Sequence, residues 1–442
     1  MKKYNKYKPS GIKWIGDIPE HWEIKKIKNI ASIQGRIGFK GYSKSDLVYE
    51  GEGALTIGAK HIKDNNLYLS NPEYLSWEKY YESPEIMVEE GHILITQRGS
   101  LGKVAIIRED IGKATINPSM LIIKNVGVNK EFLYQYFSST VFNTWLEVVA
   151  GGTAVPMITQ EQLYNFSIGI SSINEQTQIA NYLDQKTTQI DQTITQKEKL
   201  IELYEEEKKA MINQAVTKGL NKNVKLKPSG TKWLGGIPEH WVVKKLKHCS
   251  IINNEQLSEK TDDNYQIRYI DIGSINNQIL QKKPEVLLFK NAPSRARRVL
   301  KQGDTIVSTV RTYLKAILHI DFEDNNLIAS TGFAVVSPLT KYFINKFLYF
   351  LLSSELIINE VVSKSVGVSY PAINSVVFSN IAVWFPSTKE QTEIVRHIEE
   401  QSKRINKAIT KAKKEIELIK EYRQALIFEA VTGKIDVREE AG

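Results

Sequence analysis

"GDIPEHW" occupies residues 16–22, and "GGIPEHW" occupies residues 235–241. The match extends outward on both sides: "KPSGIKWIGDIPEHWEIKKIK" starts at Lys8 and "KPSGTKWLGGIPEHWVVKKLK" at Lys227, an offset of 219. Self-similarity at a fixed offset marks an internal repeat, and it decides the architecture before any single element does. Downstream the offset becomes 215, pairing "FLYQYFSS" from Phe132 with "FLYFLLSS" from Phe347, Pro156 with Pro371, and "NEQTQIANYLDQ" from Asn174 with "KEQTEIVRHIEEQ" from Lys389. "AMINQAVT" and "ALIFEAVT" close the two copies at Thr217 and Thr432. Each half therefore has a signature, a middle and a matched helical end. The middles, about residues 34–130 and 253–345, differ greatly. The two copies share a scaffold and differ in a surface.

The 442 residues suffice for two or three domains, and 42% apolar content suffices for packed cores. No run approaches the ~20 apolar residues of a membrane span, and the charged "MKKYNKYKPSG" start has no apolar segment behind it, so it does not read as a secretory signal. The single cysteine, Cys249, excludes an internal disulfide and a four-cysteine metal site, and it suits the reducing cytoplasm. A net charge of +9 fits a polyanionic partner.

The middles read as mixed β structure: "HILITQ", "KVAIIR", "DTIVSTV" and "FAVVS" are short β-branched runs punctuated by Gly91, Gly99, Gly303 and Gly332. Helical pieces "NKEFLYQYFSS" and "NKFLYFLLSS" follow. From Asn174 to Thr217 there is neither Pro nor Gly, and apolar residues recur at steps of three and four. In copy one they are Ile179, Leu183, Ile190, Ile194, Ile201, Tyr204, Met211 and Ala215; in copy two, Ile394, Ile398, Ile405, Ile409, Ile416, Ile419, Leu426 and Ala430. That spacing is a coiled-coil seam, on helices about 66 Å long. Lys186, Lys197 and Lys208 interrupt it, which predicts an antiparallel pair with polar layers.

The fold class expected is α/β (α+β): two tandem domains of mixed strands and helices with two long helices forming an antiparallel coiled coil, a pseudo-twofold internal repeat. The chain divides as a first mixed domain (1–172), long helix (173–217), linker (218–227), second mixed domain (228–387), long helix (388–432) and C-terminal tail (433–442). The tail "VTGKIDVREEAG" resembles the start of the linker, which predicts that the end of copy two lies near the start of copy one, closing a nearly circular molecule. In the signature, Pro19 and Pro238 fix an extended backbone before them, and Trp14, Trp22, Trp233 and Trp241 supply apolar anchors. His21 and His240 have no second His or Cys at ligand spacing, so the phrase reads as a packing element.

The phrases "SGIKWIGDIPEHW" and "SGTKWLGGIPEHW", with "NEQTQIANYLDQKTTQID" and "KEQTEIVRHIEEQSKRIN", resemble the specificity subunits of type I restriction-modification systems, across essentially the whole chain. The resemblance implies that each variable middle reads one half of a split double-stranded DNA target and that the paired helices act as a spacer. It implies no catalysis and no cofactor in this chain, two methyltransferase subunits that use S-adenosylmethionine, and restriction subunits that join the complex. The residues agree on the missing chemistry. "NPSM" at Asn117 lacks the second Pro and the aromatic residue of an adenine methyltransferase motif, "RGSLGK" at Arg98 is too short for a phosphate-binding loop, and no HExxH or CxxC pattern occurs. Three rivals stay open: an enzyme with a diverged site, a scaffold for partners other than DNA, and a specificity subunit of a related restriction-modification architecture or a silent copy used for recombination.

Reading DNA needs cations for phosphate and side chains that reach base edges. Copy one offers Arg36, Lys40 and Lys44, then Gln97, Arg98 and Lys103 on a Gly-flanked turn; copy two offers Arg295, Arg297, Arg298 and Lys301, then Arg311, Tyr313 and Lys315. Unlike middles predict an asymmetric, interrupted target whose gap follows helix length.

Overall fold

The computed structural model describes residues 2–38, 41–150, 156–276 and 278–439. They form two compact units, residues 1–197 with 413–442, and residues 198–412.

In the first unit, a four-stranded antiparallel sheet runs in the order Val104–Ile106, Ile93–Thr96, Met120–Lys124, Ser32–Gly35. "ILIT" at 93–96 is buried at every position because the sheet lies between two cores. Side chains alternate across a strand, so Ile93 and Ile95 join the cluster around Trp22 and Phe132, while Leu94 joins one built on Ile57 and Ile116. A second, five-stranded sheet contains one parallel pair, Gly53–Ile57 with Ala114–Ile116.

The second unit repeats this plan. Its antiparallel sheet is ordered Ser250–Ile252, Phe333–Pro338, Thr305–Ser308, Ile317–His319. Val307 faces the core of Trp241 and Phe347, and Ile306 the core of Ile270 and Leu327. Its companion sheet again has one parallel pair, Gln266–Ile270 with Leu327–Ser330. The mixed fold and the internal repeat expected from the sequence are therefore present, down to strand direction.

The long helices run Ile173–Lys218 and Thr388–Val431. Both stop one or two residues before a glycine with positive φ, Gly219 and Gly433, the backbone conformation that ends a helix at lowest cost. Within each unit the two helices pair antiparallel. In the first, Lys197 Nζ reaches Glu415 at 2.6 Å and Arg423 Nε reaches Asp191 at 3.1 Å; in the second, Lys208 Nζ donates to Asn406 Oδ1 at 3.0 Å. The partner number falls as the residue number rises, as antiparallel pairing requires. None of the sixteen seam residues is exposed, from Ile179 to Ala215 and from Ile394 to Ala430. Two of the polar interruptions, Lys197 and Lys208, are themselves interhelical contacts, and Lys186 lies over the Tyr182 ring of its own helix at 5.8 Å.

The helix ends also complete the unit cores. Ile179, Leu183, Leu426 and Ile427 belong to the core of Trp22; Ala215, Val216, Ile394 and Ile398 belong to that of Trp241. Half of each helix thus folds with each unit, and the compact units do not follow boundaries at 172 and 387. The segment set apart as a tail is also core: Ile435 and Val437 are buried in the first unit, and Asp436 N donates to Lys2 O at 2.9 Å. Within that unit the two chain ends meet.

The signature is indeed a packing element. Asp17–Pro19 pairs with Tyr7–Pro9, and Gly236–Pro238 with Leu226–Pro228. Trp22 and Trp241 are fully buried, and each indole donates to the first-turn glutamate of a long helix, Glu175 or Glu390, at 3.1 Å. His21 and His240 reach the same carboxylates. The next residue extends the joint: Gln176 Oε1 accepts from Asn129 N at 2.9 Å, and Gln391 Oε1 from Ile344 N at 3.0 Å. The phrase and the "EQT" helix start recur together because they bond to each other. Among the described residues no helix is long and apolar enough to cross a membrane.

Candidate nucleic-acid interface

Each antiparallel sheet extends one hairpin whose tip leaves the core. In the first unit, strands Ile93–Thr96 and Val104–Ile106 pair Ile93 with Ile106 and Ile95 with Val104. Gly99 and Gly102, both at φ 78°, turn the chain between them. In the second unit, Thr305–Ser308 and Ile317–His319 pair Thr305 with His319 and Val307 with Ile317. Both tips are tied to the segment after the shared proline. Ile158 N donates to Gln97 O at 3.0 Å, and Ile373 N to Thr309 O at 2.9 Å. Isolated bridges join Arg98 to Met157 and Val310 to Ala372.

The tips differ in how they turn. Where copy one uses glycines, copy two puts Arg311 at φ 54° and Lys315 at φ 52°. Side chains in the left-handed region cost about 1 kcal/mol each, and such strain collects where a side chain must point in a required direction. Arg311 lies over the Tyr370 ring at 4.7 Å, and Arg311 N donates to Pro371 O at 2.8 Å. Arg311, Tyr313 and Lys315 are all exposed. The second hairpin thus presents two cations and an aromatic ring from a braced backbone.

The first hairpin is quieter. Arg98 is exposed, with Nη2 3.4 Å from Met157 Sδ. Gln97 Nε2 donates to Pro118 O at 2.8 Å, so its amide nitrogen clamps the hairpin rather than pointing away from it. Lys103 Nζ donates to Ala59 O at 3.3 Å and is half-buried.

Arg36 is a correction. It is 7% exposed, donates to Ile116 O, Ser83 Oγ and Thr115 Oγ1, and lies over the Tyr42 ring at 5.2 Å. Burial lowers its guanidinium below the usual arginine range. A buried guanidinium needs this full set of acceptors, so Arg36 holds the unit together and is not a surface contact. Lys44 is exposed; Lys40 lies outside the described residues.

The "SRARR" cluster divides. Arg295 is exposed and held by Tyr269 OH at 3.2 Å and Asp271 at 3.0 Å, which raise its pKa. Arg297 stacks on Phe289 at 4.5 Å, and Lys301 pairs with Glu255. Arg298 is half-buried, and burial lowers its pKa. Arg297 and Arg298 sit on the edge strand Ala296–Val299, with Arg295 just before it and Lys301 just after, in a different sheet from the hairpin.

Sequence reasoning missed Tyr370 and the turn around it. The signal was the shared proline: Pro156 and Pro371 close short Gly-containing stretches, "GGTAVP" and "VGVSYP". Residues 151–155 of the first stretch lie outside the described residues.

A family described as "Type I restriction modification DNA specificity domain" matches residues 19–203 and again 238–418. The chain is 26% identical over 444 residues to the type I restriction enzyme MjaVIII specificity subunit of Methanocaldococcus jannaschii, covering 95% of this chain and 94% of that one. A 196-residue stretch is 30% identical to the MjaIX specificity subunit of the same organism, 43% of each chain. The fold is shared with a chain from a solved structure of a type I R-M system (TM-score 0.66, 15% identity, 94% of this chain and 98% of that). It is shared also with the HsdS subunit from Thermoanaerobacter tengcongensis (TM-score 0.53, 15% identity, 94% and 98%). With both halves matched in the order that the internal repeat sets, the chain belongs to the family of type I restriction-modification specificity subunits.

Proposed function

We propose that this specificity subunit reads a bipartite double-stranded DNA target, each unit contacting one half through its braced hairpin. The observation that carries the reading is the pair of hairpins: one framework, two different sets of tip side chains. Arg98 on the first and Arg311, Tyr313 and Lys315 on the second supply phosphate neutralisation and base-edge donors. The paired helices set the gap between the half-sites and dock two methyltransferase subunits. The methyl donor S-adenosylmethionine belongs to those subunits, restriction subunits complete the assembly, and this chain contributes specificity without catalysis.

The test is co-expression with the methyltransferase and genome-wide mapping of methylated adenines. Exchanging residues 304–320 for the hairpin of another specificity subunit should alter one half of the motif and leave the other half and the gap intact. A change in both halves, or in neither, overturns the reading. Shortening both long helices by matched deletions should shorten the gap.

A further inference from the structure

Beside the second hairpin stands a smaller one that the function above does not use. Val366 and Ala372 exchange both backbone hydrogen bonds, at 2.9 and 3.0 Å, and residues 367–371 turn between them. Gly367 at φ 119° permits the turn. The turn is fastened to the larger hairpin at four points: the Val310–Ala372 bridge, Arg311 N on Pro371 O, Thr312 Oγ1 with Ser365 Oγ at 2.8 Å, and the Arg311 guanidinium over Tyr370.

At its apex Val368 is 101% exposed. A fully exposed valine on an anchored turn adds no burial to the fold and stays available to a partner. Charge says which kind of partner. Residues 305–320 and 361–373 hold Arg311, Lys315 and Lys364 and no Asp or Glu; Lys364 is paired with Glu360 at 3.2 Å, which leaves Arg311 and Lys315 as the exposed cations of the two hairpins. An exposed apolar point on a turn fastened beside the Arg311 cation suits a polyanion that carries an apolar feature within reach. The major groove of DNA admits a two-stranded ribbon, and the thymine 5-methyl group is the apolar feature displayed there.

We infer that the 366–372 turn enters the major groove of the half-site read by the second unit, and that Val368 contacts a thymine methyl group. This rests on the DNA-reading function proposed above. Val368 then selects an A·T pair at one position, while Arg311 and Lys315 hold the neighbouring groove edge and phosphates.

The experiment uses the complete complex with its methyltransferase and a duplex carrying the mapped site. Each thymine of the second half is replaced singly by deoxyuridine, which removes only the methyl group. One replacement should weaken binding about fourfold, the scale of one buried methyl. Val368→Ala should weaken binding to the thymine duplex by a similar factor and become insensitive to that replacement. Val368→Ile should retain the sensitivity. The side chain is fully exposed, so folding is not at issue. Wild-type affinity in Val368→Ala, an undiminished uracil effect in that variant, or a second half-site without any A·T pair overturns the inference. Absence of any methylated motif with the wild-type chain overturns the DNA-reading function itself.

Discussion

The Trp22 indole donates to the Glu175 carboxylate at 3.1 Å, joining the repeated phrase to the first turn of the long helix. Tyr4 OH donates to the same carboxylate at 2.7 Å and His21 Nε2 reaches it at 2.9 Å. Burial and the Glu175 contact push the Tyr4 hydroxyl far above the ordinary tyrosine pKa, so it remains a donor. In copy two, Glu390 holds His240 and Trp241. The Glu175 side chain is 6% exposed and that of Glu390 is 28% exposed.

That difference sets the first prediction. Glu175→Ala strands two buried donors, Tyr4 OH and the Trp22 indole, at a cost of about 3 kcal/mol; Glu390→Ala strands one, the Trp241 indole, because the His240 ring is exposed, at about 1 kcal/mol. Thermal melting of the two variants should therefore show the larger loss for Glu175→Ala. Equal shifts would mean that burial does not govern this joint.

A second prediction concerns the helix pair. Lys197 and Glu415 are partly buried, with side chains 26% and 39% exposed. Lys197→Glu places like charges together, and Glu415→Lys does the same from the other side. Each should lower stability by roughly 0.5–1 kcal/mol, and the double exchange should recover most of the loss. Additive losses in the double exchange would show that the two residues do not form one antiparallel layer.

The helix pair was also the most legible part of the sequence. Its period of three and four is a one-dimensional signal, and every lysine that broke the period turned out to mark a polar contact or a half-buried position. The duplication was legible for the same reason, since identical phrases need no geometry. The surface was less so. Arg36 and Arg98 look alike in a string, each beside a glycine, yet one is sealed among backbone acceptors and the other is exposed; only the three-dimensional path of residues 83–116 separates them. The Val366–Ala372 turn was hidden because its anchors lie over fifty residues away, at Val310 to Thr312.

A pH prediction follows from His61, which is 1% exposed and accepts from Gly58 N through Nδ1 at 3.0 Å. Burial lowers its pKa, with the Lys60 charge adding to the effect. The folded state keeps the ring neutral, while the unfolded chain takes up a proton near pH ~6.5. Stability is therefore full above that pH and falls as pH drops from there toward the lowered folded value. Denaturant unfolding of the wild type at pH 7.5 and 5.5 should show a loss that His61→Gln reduces. An equal loss in both proteins would remove His61 as the cause.

The last prediction separates stability from recognition at the second hairpin. Arg311 carries a side chain at φ 54°, a conformation that glycine adopts freely. Arg311→Gly relieves about 1 kcal/mol of strain and forfeits the stacking on Tyr370, worth about 0.5–1 kcal/mol at an exposed site. Its net effect on melting should lie within about 0.5 kcal/mol of zero. Binding should respond quite differently, because a guanidinium that reaches a base edge contributes about 1–3 kcal/mol of discrimination. Arg311→Gly should therefore weaken binding to the mapped site at least several-fold, and relax the motif at one position of the second half. Arg311→Lys keeps the charge and the strained backbone but lacks the planar fork. It should restore salt-dependent affinity and leave the motif relaxed. If Arg311→Gly methylates the same motif at the same rate as the wild type, the strained arginine serves the turn alone and the hairpin tip does not read DNA.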